Sequence, residues 1–157
     1  MATLISDIAD LFLTNVNDYR LTAIYTASGS SGLNNFIEPW LLNSIIEFDV
    51  CDQELDYVVT SGSMEGYFPI DLTLENKLIM SQLMVKHWLH KEINDVLQMN
   101  NFIQDHDFKT HSAANNLQSK KDYYNTKREE LSQKLVDYAY KRNDFTAWGN
   151  QIFMVEE

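Results

Sequence analysis

Between Leu78 and Leu89 the chain reads Leu-Ile-Met-Ser-Gln-Leu-Met-Val-Lys-His-Trp-Leu, which places apolar side chains on nearly every face of a helix. A helix that is apolar all round cannot lie on a surface; other elements must cover it on all sides. That requirement governs how the rest of the chain can fold. Asp71 and Thr73 are good N-caps with Glu75 in the first turn, so the helix is expected to run from there to about Gln98. The 157 residues suit one domain, which is enough to surround one central helix. Burial against neighbouring subunits would meet the same need, and the two are compatible.

The covering elements are also legible. Leu4, Ile5, Ile8, Leu11, Phe12 and Val16 recur at i, i+3, i+4 and i+7, predicting a short amphipathic helix over 3–16. Residues 17–32 end in Ala27-Ser28-Gly29-Ser30-Ser31-Gly32, a small-residue run expected to form a loop. A helical period returns over 33–48 with Phe36, Ile37, Trp40, Leu41, Ile45 and Phe48, and Pro39 is expected to kink that helix or mark its start. Over 50–70 a β-prone Tyr57-Val58-Val59-Thr60 precedes the turn-rich 61–66, so a long loop with room for a small β-hairpin is expected. After a polar connection over 100–110, Thr110 or Ser112 is expected to cap a second long helix ending near Arg142. On it Leu117, Tyr124, Leu131, Leu135 and Tyr138 share a face, Lys120, Lys121, Lys127 and Arg128 are expected mostly in solvent, and Glu130 precedes Lys134 by four residues in the favourable order.

The predicted fold is therefore mainly α: a small helical bundle with two long helices and short N-terminal helices over 1–142, then an extended C-terminal tail. That tail, 143–157, carries Phe145, Trp148, Ile152, Phe153, Met154 and Val155, and six apolar residues on a terminus need a surface to cover.

Charge is unevenly distributed. Residues 1–76 hold twelve acids and one base, Arg20, whereas 77–157 hold eleven of each. An acidic half disfavours non-specific attraction to nucleic acid or anionic lipid. It serves solubility, meets a basic partner, or lets DNA pass without sticking. Cys51 is the lone cysteine, so neither an internal disulfide nor a cysteine zinc site is available. No stretch reads as a secretory signal or approaches the ~20 apolar residues of a membrane span, so a soluble protein is expected.

Few residues invite chemistry. Phosphate-binding glycine loops and the Gly-x-Ser-x-Gly elbow are absent from the sequence. His87 and His90 share a helix face as metal ligands do, but without an HExxH arrangement or a carboxylate to complete the set, packing is the simpler role. Asp105-His106-Asp107 lacks the glycine and spaced carboxylates of a calcium loop. Asp49, Asp52 and Glu54 around Cys51 should raise its thiol pKa and oppose a nucleophilic role. No catalytic residues, cofactor or metal are therefore expected, and the chain reads as a non-enzyme.

Asp71-Leu72-Thr73-Leu74-Glu75, the run Leu83-Met84-Val85-Lys86-His87-Trp88-Leu89, and Asp107-Phe108-Lys109-Thr110-His111-Ser112-Ala113-Ala114-Asn115-Asn116-Leu117 opening a charged helix follow one another in an order that resembles the helical head–tail connector (adaptor) proteins of tailed bacteriophages. The resemblance spans about 3–142, apart from the 50–70 loop. It implies copies assembling as a ring, usually twelve-fold, beneath the portal protein in the virion after synthesis in the host cytoplasm. The ring would pass genomic DNA without specific binding and offer a surface to the next neck or tail protein, with no membrane involved. On that reading the contact elements are the loops 50–70 and 99–110 and the tail. The candidate interface residues are Tyr57, Val58, Tyr67, Phe68, Trp88, Phe102, Phe108, Phe145, Trp148, Phe153 and Met154, because buried aromatics dominate interface energetics. The competing expectation is a small acidic inhibitor or regulator that mimics DNA charge or binds a basic host protein.

Overall fold

In the computed structural model residues 2–16, 18–60, 65–103 and 111–142 are described, with side chains left aside over 98–103 and 111–116. The elements are β1 (Thr3–Leu4), α1 (Ile5–Leu13), α2 (Tyr19–Glu47), β2 (Tyr67–Phe68), α3 (Leu74–Ile103) and α4 (His111–Arg142). The architecture is a small helical bundle with one two-stranded sheet.

The centre is α3. Ile79, Met80, Leu83, Met84, Val85, Leu89 and Ile93 are all buried, and α1, α2 and α4 each pack against this helix. The all-round apolar run is thus largely covered within one chain, with Leu78 and Trp88 half-buried. Thr73 caps α3: its Oγ1 accepts from the Asn76 N–H at 3.3 Å, and its own N–H donates to Gln53 Oε1 at 2.8 Å. The helix runs to Ile103, one turn beyond the expected end.

Two N-terminal expectations need correction. Thr3 and Leu4 are a strand, and α1 begins only at Ile5, where the Asp7 carboxylate reaches back to accept from the Leu4 N–H at 3.3 Å. More consequentially, where a loop is expected, 19–32 is helical apart from Gly29. Asp18 caps it by accepting from the Arg20 N–H at 2.9 Å, and the helix continues through the Ser/Gly run with a break at Gly29. α2 is two helical segments joined through Gly29, whose φ of 66° and ψ of −167° only glycine adopts at low cost. The same bend leaves Gly32 no room for a side chain, since a Cβ there would lie 2.2 Å from the Ser28 Cβ.

Pro39 neither starts nor breaks α2; Gly29 is the one non-helical position within it. Pro39 and Asn35, whose carbonyl the ring frees, are both exposed, so solvent is at hand for the bond the helix lacks there. On the opposite face Leu33, Ile37, Trp40, Leu41 and Ser44 are buried, and Phe12 meets the Trp40 ring at 5.7 Å between centroids.

Within 50–70 the β-prone run is used sparingly. Val58 bridges Tyr67 through bonds of 2.9 and 3.2 Å. β2 then pairs antiparallel with β1, Thr3 opposite Phe68 and Leu4 opposite Tyr67. Buried Thr3 secures the junction, its Oγ1 accepting from the Leu72 N–H at 2.9 Å.

α4 lies antiparallel along α3. Leu131 and Tyr138 are buried, with Tyr124 and Leu135 packed beside them, on the face the heptad-like spacing marks. Its bases are less free than expected. Lys120 pairs with Glu92 at 3.5 Å, Lys141 with Glu75 at 3.6 Å, and Lys134 donates to Gln82 at 2.9 Å. Glu130 is taken by Lys127, three residues earlier, at 2.7 Å, and not by Lys134.

Candidate functional site

The interface candidates fall into different environments. Phe68 has no exposed surface and belongs to the core. Tyr57 and Tyr67 are half-buried around it, the Tyr57 ring 5.1 Å from that of Phe68, while Val58 is exposed along the β-bridge. Trp88 is half-buried on α3. Of Phe102 only the helical backbone is described, and Phe108, Phe145, Trp148, Phe153 and Met154 lie outside the described residues, as does the tail as a whole.

Three polar clusters tie the elements together. The first joins the loop after α2 to the start of α3 and the end of α4. The Tyr138 hydroxyl, among buried neighbours, bonds Asp52 Oδ1 and Asn76 Oδ1 and accepts from the Asp52 N–H at 3.2 Å. Asn76 Nδ2 donates to Asp52 at 3.0 Å and to Gln53 at 2.7 Å. Arg142 lies 3.7 Å over the Tyr138 ring and pairs with Asp52 at 2.7 Å and Glu75 at 3.4 Å. The Arg142 guanidinium, then the Tyr138 hydroxyl, hold the Asp52 carboxyl well below the usual range. Tyr138 itself is pushed up by burial and by Asp52. Cys51 adjoins this cluster, and burial, more than the neighbouring Asp52 charge, pushes its thiol up. These groups are occupied with one another and bind three elements together, so the arrangement is a clasp.

The second cluster brings Glu47 at the end of α2 onto Lys86 and His87 of α3. His87 Nε2 lies 3.0 Å from Glu47 Oε2 but off hydrogen-bonding direction. Burial, followed by the Lys86 charge, lowers the His87 pKa despite Glu47. His90 turns to the Tyr124 ring at 5.8 Å, so the two histidines do not converge on one ion. Among the described residues no group of three or more His, Cys, Asp or Glu is placed to hold a metal. The third cluster anchors Arg20, the base of the acidic half, to Asp18, Glu92 and Asp95.

One cleft, of ≈ 430 Å³, lies between Leu13, Val16, Leu21, Leu33 and Tyr25; another, of ≈ 210 Å³, lies between Asn15, Gln82, Val85 and the α4 side chains Tyr123, Lys127 and Lys134. Neither gathers a nucleophile with a base.

The most distinctive surface escapes the sequence reading. Pro39, Leu42 and Ile46 follow each other at i, i+3 and i+7 on the face of α2 opposite its buried one, and Ile46 is 78% exposed. The signal was present in 33–48 as a second apolar stripe, masked by the stronger core stripe of Ile37, Trp40, Leu41 and Ser44. On α4, Val136 and Tyr140 are exposed one turn apart. Among the described residues no helix is long and apolar enough to cross a membrane. Set against known proteins, the chain matches no family model, no curated protein and no solved structure.

Proposed function

We propose that this chain is the repeating subunit of a head–tail connector ring of a tailed bacteriophage. The observation that carries the reading is the outer stripe of α2, Pro39, Leu42 and Ile46. Single exposed apolar residues are ordinary, but a row at helical spacing opposite an already buried face is the pattern of a helix packed on both sides. The exposed pair Val136 and Tyr140 on α4 is a different patch. Contact between unlike patches on successive copies is heterologous, and such contacts give a ring where the rotation from copy to copy closes. The order of a short first helix, a Pro-Trp helix and two long helices supports the same reading, as do the sequence motifs that open α3 and α4.

The function is mechanical. Copies surround the passage used by the genome, with the portal protein on one side and the next neck or tail protein on the other. The excess acid of residues 1–76 would line the lumen and repel DNA, and the tail 143–157 with Phe145, Trp148, Phe153 and Met154 would dock on a neighbour. Cryo-electron microscopy with mass spectrometry of purified particles tests this. A ring of this chain below the portal is the expected result, and absence of the chain from mature particles would overturn it.

One observation favours the second reading, an acidic inhibitor of a basic host protein. Asp49, Glu54 and Asp56 are exposed on the loop after α2, and no base among the described residues pairs with them. An inhibitor would purify as a monomer or dimer bound to one host protein.

A further inference from the structure

The geometry points to a calcium-class divalent cation site between the second segment of α2 and the residues that lead into β2. Ser31, Asn34, Asn35 and Glu38 recur at i, i+3, i+4 and i+7, which puts all four on one face of α2. Strand pairing brings Glu65 and Gly66 against that face, held by the bond from the Ile5 N–H to the Gly66 carbonyl at 3.0 Å. These residues enclose a cavity of ≈ 10 Å³, the size of one water or one bare ion.

Two polar atoms there have no partner among the described residues. Asn34 is only 6% exposed and its Nδ2 makes no hydrogen bond; Glu65 Oε2 is buried and likewise unbonded. Leaving such groups without a partner is costly, so the cavity suits an occupant that serves both. Glu38 is oriented by the Tyr57 hydroxyl, which donates to its Oε1 at 2.8 Å. The Tyr57 pKa is pushed up by burial, then by its hydrogen bond to Glu38 and by the Glu38 and Glu65 charges. Gly66 completes the cradle: a Cβ there would lie 1.9 Å from the Tyr57 hydroxyl and 3.1 Å from Glu38 Oε1.

The identity of the occupant follows from charge and donor type. Neither carboxylate has a base as partner among the described residues, and Arg20 is held elsewhere by Asp18, Glu92 and Asp95. Every available donor is a carboxylate, amide or hydroxyl oxygen, the set preferred by hard cations, with no histidine or thiolate. The Asn34 amide presents Oδ1 to the ion when turned by half a rotation, oxygen and nitrogen having the same shape. Magnesium retains several waters in such sites, and a one-ion cavity has no space for them; calcium accepts irregular protein oxygens directly. Binding would fasten the approach to β2 onto α2 in the folded state only, and so stabilise it. The assignment does not depend on the connector reading.

The test is thermal unfolding of the full chain with calcium, with magnesium and with chelator, alongside calcium titration calorimetry. A dissociation constant on the order of 10⁻⁴ M is expected for a site of two carboxylates. Calcium at about tenfold that level should raise Tm by a few degrees, with one ion per chain, and equal magnesium should not. Glu38→Gln and Glu65→Gln should each weaken calcium at least ~10-fold, because affinity follows ligand charge, while melting in chelator stays at or above the parent value. Ser31→Ala, which removes one neutral oxygen, is the gentler second variant and should weaken calcium less. No calcium response in the parent protein would overturn the site and leave a single water bridging Asn34 and Glu65. A response unchanged in all three variants would also overturn it, because the ion would then sit elsewhere on the acidic half.

Discussion

At the scale of single residues, the Tyr138 hydroxyl sets the geometry where three elements meet. Its oxygen lies within bonding distance of both Asp52 and Asn76, and nothing near position 138 in sequence announces either partner. The helical spacing identifies Tyr138 as core-facing, but its polar end is specified by residues 62 and 86 positions away, which a local reading does not reach. Tyr138→Phe leaves Asn76 Oδ1 and the Asp52 N–H without that partner and should cost about 1–3 kcal/mol in urea unfolding. Acid sensitivity follows from the same cluster. Because the folded pKa of Asp52 is depressed, its contribution is present above the ordinary carboxylate range and is lost as pH falls below ~4. Asp52 is more than a third exposed, so solvent screening keeps that contribution to about 1 kcal/mol, and Asp52→Asn should flatten the acid limb of the stability curve by that much. His87 acts at higher pH. Its folded pKa is lowered, so the unfolded chain takes up a proton first and stability should decline as pH drops from ~6.5. Chemical denaturation of His87→Gln between neutral and mildly acidic pH should show a shallower decline; an unchanged slope would assign the effect to other groups.

At the scale of elements, the chain's least legible feature is the Ser/Gly run of α2. Ala27 to Gly32 has loop composition, and propensity alone assigns it no helix. What overrides propensity is context: Asp18 caps the first segment, Leu21 anchors it, and Leu33 begins the buried face of the second. The run remains helical except at Gly29, where the two segments change direction. The expectation of flexible small residues therefore located the discontinuity correctly and misjudged its extent. Gly29→Ala meets no neighbouring atom but must hold φ at 66°, so its cost is conformational, about 1–3 kcal/mol. Gly32→Ala has an ordinary φ but meets Ser28, so its cost is steric. A Ser28→Gly change should rescue Gly32→Ala and leave Gly29→Ala unrescued, a difference that thermal melts of the double variants would read directly. By contrast α3 was legible almost to its ends, because an all-round apolar run with a Thr cap admits few alternatives.

At the scale of the whole molecule, the distribution of apolar residues separates folding from assembly. The core of α1, α2, α3 and α4 closes on itself, with α3 covered by its own chain, so folding needs no second copy to bury the central helix. The surfaces left over are therefore available for association without competing with the fold. That division makes the connector reading testable by single substitutions. Ile46 is 78% exposed and lies outside the core, whereas Ile37, two and a half turns earlier and so on the inner side, is fully buried. Ile46→Asp should leave the monomer's melting within about 0.5 kcal/mol of parent, as surface changes do, yet abolish higher oligomers in native mass spectrometry because a charge is unpaired at a packed interface. Val136→Asp on α4 should produce the same phenotype if the contact is heterologous. A mixture of the two variants then discriminates between arrangements: with unlike patches, each variant retains one intact surface, and the pair should form heterodimers that cannot extend to rings. If Ile46→Asp alone eliminates association and the mixture gives no heterodimer, the α2 stripe meets its own copy across a two-fold axis, and a ring built on this contact is ruled out.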